Sequence, residues 1–86
     1  MKELDYTIRD EAGMHARPAG VLVKRMQGFK SEILADKGAK RVSLKKLFAL
    51  MGLGIRQGET VHVTAEGEDE DEAIAAALEV MRQEGL

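Results

Sequence analysis

The sequence predicts an α+β fold: a two-layer sandwich of four short strands with helices on one side, in the order β-α-β-β-α-β-α. Three observations carry that expectation. Apolar and polar residues alternate with period two in some segments, and apolar residues recur at helical spacing in others. The chain has 86 residues, which is enough for one hydrophobic core and no more. No long linker, low-complexity run or repeat divides it, so residues 1–86 are expected to form a single domain.

The first strand is expected from Lys2 to Arg9, where Leu4, Tyr6 and Ile8 alternate with Glu3, Asp5 and Thr7. Asp10 to Gly13 breaks that pattern. From Ala16, the positions Ala19, Leu22, Val23 and Met26 follow i, i+3, i+4, i+7, the stripe of an amphipathic helix that leaves Lys24 and Gln27 outside and stops at Gly28. Glu32 to Asp36 reads as a second strand. The turn Lys37-Gly38-Ala39-Lys40 leads to a third that ends at Val42, which makes the pair a hairpin.

Ser43 is a suitable N-cap for a short helix over 44–52. Its apolar residues Leu44, Leu47, Phe48, Leu50 and Met51 cover an arc of about 160°, wider than the roughly 100° that a core-facing stripe needs, so some of this surface is expected to be exposed. Val61, Val63 and Ala65 alternate with Thr60, His62 and Thr64 as the fourth strand. The acidic run Glu66 to Glu72 suits the start of a final helix, where the helix dipole favours carboxylates. Ala73, Ile74, Ala77, Leu78 and Met81 are its expected buried stripe, and Gly85 its stop.

Composition narrows the function classes. No apolar run approaches the roughly 18–20 residues of a membrane span, and the acidic N-terminus is unlike a signal peptide, so a cytoplasmic protein without membrane insertion is expected. Without cysteine there is no disulfide, thiolate metal site or redox motif. Aromatic residues make up 3% of the chain, too few for a base-stacking platform, so no nucleic-acid partner is expected. The net charge of −2 conceals a split. Residues 13–58 hold ten Lys/Arg against two acids, and the two ends hold three against thirteen. A basic middle fits an acidic partner or an anionic group as well as it fits a solvated surface.

The segment Gly13-Met14-His15-Ala16-Arg17-Pro18-Ala19 is the one that can carry chemistry. It places an imidazole at a strand-to-helix junction, where free backbone N–H groups and the dipole attract anions. Arg17 adds a charge with phosphate-matching geometry, and Pro18 fits the first turn, where its missing N–H is not needed. No second histidine or cysteine lies nearby to complete a metal site. No adjacent nucleophile makes His15 a general base, so the imidazole is itself the nucleophile candidate. Taken alone, the short motif is equally compatible with a histidine that caps a helix. His62, between Val61 and Val63, is expected to be a solvent-facing strand residue. The acidic run 66–72 lacks calcium-loop spacing, and Gly52-Leu53-Gly54 forms no nucleotide-binding motif.

With these residues in view, the chain resembles the histidine-containing phosphocarrier (HPr) family of the bacterial phosphoenolpyruvate:sugar phosphotransferase system. Gly13 to Ala19 matches the family's active-site motif, and Leu44-Lys45-Lys46-Leu47-Phe48-Ala49-Leu50-Met51-Gly52-Leu53-Gly54-Ile55 resembles its second signature. The acidic, then alanine-rich, C-terminal helix also fits, so the likeness covers the whole chain. It implies an open-faced β-sandwich of four antiparallel strands with three helices. It also implies a carrier, not an enzyme, whose His15 Nδ1 accepts a phosphoryl group from phosphorylated enzyme I and passes it to IIA domains of sugar permeases. Arg17 would neutralise the phosphate, and the N–H groups of Ala16 and Arg17 would orient it. Gly20, Lys24, Gln27, Leu47, Phe48, Met51 and Gly52 would form the partner-binding face, with Lys46 beside them. No cofactor or metal is implied, and a monomer is expected.

One departure stands out. Lys46 occupies the position of the family's regulatory serine, and Ser43 and Ser31 do not replace it, so control by a serine kinase is not expected. Two alternatives stay open: a paralogue in a regulatory or nitrogen-linked phosphorelay, and a binding module that docks an acidic partner without transferring phosphate. The pairing of His15 with Arg17 favours transfer, because docking alone needs no titratable nucleophile.

Overall fold

A computed structural model describes residues 1–86. The elements are β1 (Lys2–Thr7), α1 (Ala16–Met26), β2 (Glu32–Lys37), β3 (Lys40–Ser43), α2 (Leu47–Gly52), β4 (Thr60–Glu66) and α3 (Glu70–Gln83). The strands form one antiparallel sheet in the order β1-β4-β2-β3. The register explains why one face is apolar. Leu4 and Ala35 flank Val63 on either side, Tyr6 stands opposite Val61, and Ile33 stands opposite Ala65. Because side chains alternate along a strand, these residues share the face on which the helices pack.

The buried apolar side chains form one cluster with contributions from all three helices and from the sheet. From α1 come the stripe residues Ala19, Leu22, Val23 and Met26, as the spacing predicts. The opposite face of the sheet carries Glu3, Asp5, His62, Thr64, Asp36 and Arg41 and has no helix over it. The chain thus has the four-stranded antiparallel open sheet with three helices that the sequence leads one to expect.

Two expectations need correction. The second helix begins at Leu47, with Lys46 as its N-cap, and not after Ser43. Leu44 remains tied to the sheet through a hydrogen bond from its N–H to the Ile33 carbonyl, and its side chain is buried in the core. The Ser43 hydroxyl accepts from the Lys45 N–H, a local turn that holds the chain out of the helix for three residues.

On α3 the buried residues are Ala73, Ala76, Ala77, Val80 and Met81, while Ile74 and Leu78 are half-buried. The helix is rotated so that Ala76 and Val80 join Ala73, Ala77 and Met81 in the core, while Ile74 and Leu78 lie at its margin.

His62 lies on the helix-free face, as the alternation predicts, and its ring is paired there with two carboxylates. Its Nδ1 lies 2.5 Å from Asp5 and its Nε2 lies 2.9 Å from Glu3, both across the β1–β4 pair. The Asp5 hydrogen bond, with help from Glu3, raises its pKa above the ordinary 6.5.

Candidate functional site

His15 sits at the N-cap of α1 with an extended backbone, φ −93° and ψ 175°. Its carbonyl accepts the first intrahelical bond, from the Ala19 N–H at 3.0 Å, but its side chain does not cap the helix. The ring turns back instead, so that Nε2 lies 3.2 Å from an oxygen of Asp10. The side chain is 42% exposed, and Nδ1 has no partner within the protein. Ala16 and Arg17 follow as the first two helical residues, and amides at these positions have no intrahelical acceptor. The Arg17 side chain is exposed and makes no ion pair, whereas Pro18 turns inward and is buried. An imidazole, an unpaired arginine and unpaired amides thus all belong to the first turn of one helix, a set of groups that suits a tetrahedral anion.

The loop before His15 is fixed by several bonds. One oxygen of Asp10 accepts from the Ala12 N–H at 2.9 Å, and the Asp10 carbonyl accepts from the Gly13 N–H at 2.9 Å. These bonds close a tight turn. The Ala12 bond, followed by that of His15, holds the Asp10 carboxyl below the usual carboxylate range. One residue before His15, the Met14 N–H donates to the Ile55 carbonyl at 2.9 Å. The loop containing Ile55 is braced in turn by Lys37, whose Nζ lies 3.0 Å from both the Gly54 carbonyl and Glu59. Glu59 also accepts from the Arg56 N–H, and these contacts lower its pKa, the amide contributing most.

The residues expected to receive partners lie on α1 and α2 or at their caps, and the two helices pack against each other. Phe48 is 89% exposed, and Leu47 and Met51 are half-buried against the core, so the over-wide apolar arc does reach the surface. Lys24 and Lys46 are exposed and unpaired. Gln27 is exposed, yet its amide donates to the Lys45 carbonyl at 3.0 Å and links α1 to the approach to α2. Gly20 faces open space, and Gly52 ends α2 at the surface. Lys45 does not point outward with its neighbours, because its ammonium donates to the Phe29 carbonyl at 2.6 Å. None of the three surface cavities is lined by His15 or Arg17, so the imidazole stands on an open surface.

Sequence reasoning missed Asp10, which it read only as a strand breaker. The available signal was an acid able to close an Asx turn five residues before the histidine. It missed the brace of Lys37 for a different reason, since that contact joins segments 17 residues apart.

Comparison with known proteins agrees with this picture. Residues 2–83 match the family described as PTS HPr component phosphorylation site. The histidine-containing phosphocarrier protein of Mycoplasma superposes with a TM-score of 0.97 at 34% identity, covering 99% of this chain and 97% of that one. HPr-C-His of Thermoanaerobacter tengcongensis gives a TM-score of 0.91 at 40% identity, covering 96% and 93%. Crh of Bacillus subtilis, a catabolite-repression protein described as a dimer with a swapped domain, gives 0.76 at 32% identity, covering 100% and 99%. With most of its length matched to the family and its fold shared, the chain belongs to the HPr phosphocarrier family of the phosphotransferase system.

Proposed function

We propose that the protein carries phosphoryl groups on His15, taking them from phosphorylated enzyme I and giving them to IIA domains of sugar permeases in the cytoplasm. The observation that carries this reading is the exposed imidazole with a free Nδ1 beside the unpaired Arg17 and the free amides of Ala16 and Arg17. A carrier must present its phosphoryl group to two different proteins. An open helix end suits that task, whereas a reaction on a small molecule would ordinarily call for a concave pocket.

In transfer, the Nδ1 lone pair attacks phosphorus, and the bond to enzyme I breaks with its electron pair leaving on enzyme I. Arg17 and the amides hold the phosphate oxygens as charge builds on them. Phe48, Leu47 and Met51, edged by Lys24 and Lys46, give the partners an apolar centre with a cationic rim, and Gly20, Gln27 and Gly52 complete the face. The chain acts as a monomer on this reading.

Likeness to Crh favours a second reading, a regulatory paralogue. The exposed His15 beside Arg17 weighs for the carrier. Incubation with phosphoenolpyruvate and enzyme I should give one acid-labile, base-stable phosphoryl group per chain. His15→Ala should abolish labelling and His62→Ala should leave it intact. Labelling that survives the His15 change would overturn the assignment.

A further inference from the structure

The contact between Asp10 and His15 gives the ring a defined orientation, and we propose that Asp10 is a positioning residue that keeps the proton of His15 on Nε2 and leaves Nδ1 as the nucleophile. The inference rests on the phosphocarrier reading and deepens it. A carboxylate can only accept, so the ring nitrogen 3.2 Å from Asp10 must be the one that carries hydrogen. In a neutral imidazole the other nitrogen then holds the lone pair. Asp10 can serve as a fixed acceptor because its second oxygen accepts from the Ala12 N–H and its carbonyl accepts from the Gly13 N–H. These two bonds anchor the carboxylate on the turn, while the Met14 bond to Ile55 anchors the ring's own backbone. Both partners of the contact are therefore held from below.

The arrangement serves the whole cycle without moving a proton. When Nδ1 forms its bond to phosphorus, the electron pair of the broken bond leaves with enzyme I, and the ring becomes a cation that still carries hydrogen on Nε2. Asp10 then accepts a charge-assisted hydrogen bond from that N–H, stronger than the one before transfer. When the phosphoryl group passes to the next acceptor, the pair of the nitrogen–phosphorus bond returns to Nδ1, and the Nε2 proton remains in place. Arg17 acts on the phosphate oxygens and Asp10 on the far side of the ring, so the two charges have separate tasks.

The test compares wild type with Asp10→Ala, Asp10→Asn and Glu11→Gln. Glu11→Gln removes a neighbouring exposed charge that makes no contact with the ring. Nitrogen-15 NMR of the unphosphorylated protein, at a pH where His15 is neutral, reads the tautomer directly. Wild type should be almost wholly protonated on Nε2, and Asp10→Ala should show a larger fraction protonated on Nδ1. Asparagine keeps an acceptor oxygen and should retain much of the wild-type tautomer. Phosphoryl transfer from enzyme I should fall about tenfold in Asp10→Ala, the scale expected when a reacting group loses one orienting bond, with partial recovery in Asp10→Asn and no change in Glu11→Gln. Thermal melts of all four proteins separate this effect from loss of folding. Identical nitrogen-15 shifts and transfer rates in wild type and Asp10→Ala would overturn the role of Asp10. A wild type that takes no label while its ring is protonated on Nε2 would overturn the phosphocarrier reading and leave the ring geometry intact.

Discussion

At Gly13 the backbone turns with φ of +68°, and an added Cβ would lie 2.5 Å from the Ile55 carbonyl oxygen. That carbonyl accepts the Met14 N–H, so the close approach is also the anchor of the loop that carries His15. Only a residue without a side chain satisfies both conditions. Gly13→Ala should therefore cost roughly 1–3 kcal/mol from the strained backbone, and it should also push the loop off Ile55. Lower thermal stability together with slower labelling of His15 is the expected outcome, measured by melts and by phosphoryl transfer. A variant as stable and as fast as wild type would show that the loop yields without consequence. The glycine stands out in the sequence, but its reason does not, because the Ile55 carbonyl comes from a segment about forty residues further along the chain.

Between elements, two carboxylate contacts give the fold opposite responses to pH. Asp69, the residue before α3, accepts hydrogen bonds from the Lys30 N–H, the Ser31 N–H and the buried Ser31 hydroxyl, and so ties the start of α3 to the approach to β2. The Ser31 hydroxyl, then the Lys30 amide, lowers its pKa from 3.8 to about 2. A carboxyl with a lowered folded pKa stabilises above its unfolded value, and that contribution disappears as pH falls through the folded value. The His62 contact with Asp5 and Glu3 works the other way. Its raised pKa stabilises fully below 6.5, and the contribution is lost as pH rises through the folded value. Asp69→Ala should lower the melting temperature near neutral pH by on the order of 5–10 °C, with the gap from wild type closing toward pH 2. His62→Gln should fall furthest below wild type under pH 6.5 and converge with it as pH rises through the raised folded value, with a smaller effect than Asp69→Ala because the ring is partly exposed. A gap independent of pH in both variants would contradict the linkage.

The strands were legible in the sequence because alternation records which face is buried, and the α1 stripe was legible for the same reason. The start of α2 was not. Leu44 falls on helical spacing with Leu47 and Leu50, yet its backbone belongs to the sheet, and the competing Ser43 turn leaves no periodic trace. The candidate site divides in the same way. His15, Arg17 and Pro18 follow from a contiguous motif, whereas Asp10 and Lys37 act through turns and distant carbonyls that periodicity does not record.

Over the whole molecule, the charge split along the chain becomes a smaller and better placed split in space. Of the basic residues between 13 and 58, Arg25, Lys30, Lys37, Arg41 and Arg56 are paired with acids, and Lys45 is bound to a carbonyl. Arg17, Lys24 and Lys46 remain free on α1 and at the start of α2, with Lys40 in the β2–β3 hairpin. The free cations on the helices thus lie on the elements that carry His15 and the exposed Phe48. Because Phe48 is 89% exposed, Phe48→Ala should leave stability within about 0.5 kcal/mol of wild type. Any loss of transfer in that variant then reports on docking.

Lys46 tests the electrostatic half of the same surface. It is the N-cap of α2 and makes no side-chain cap bond, so Lys46→Glu should not unfold the helix. If enzyme I presents an acidic surface, reversing this charge turns attraction into repulsion during encounter, where steering acts over about a Debye length. Transfer from enzyme I should slow several-fold, up to about tenfold, at low salt, and the two proteins should converge as salt is raised. Stopped transfer assays across a salt series distinguish this from a contact effect, which would persist at high salt. Equal rates at low salt would show that the charge at Lys46 plays no part in docking. A difference that shrinks with salt would instead identify Lys46 as a fixed cation in the encounter.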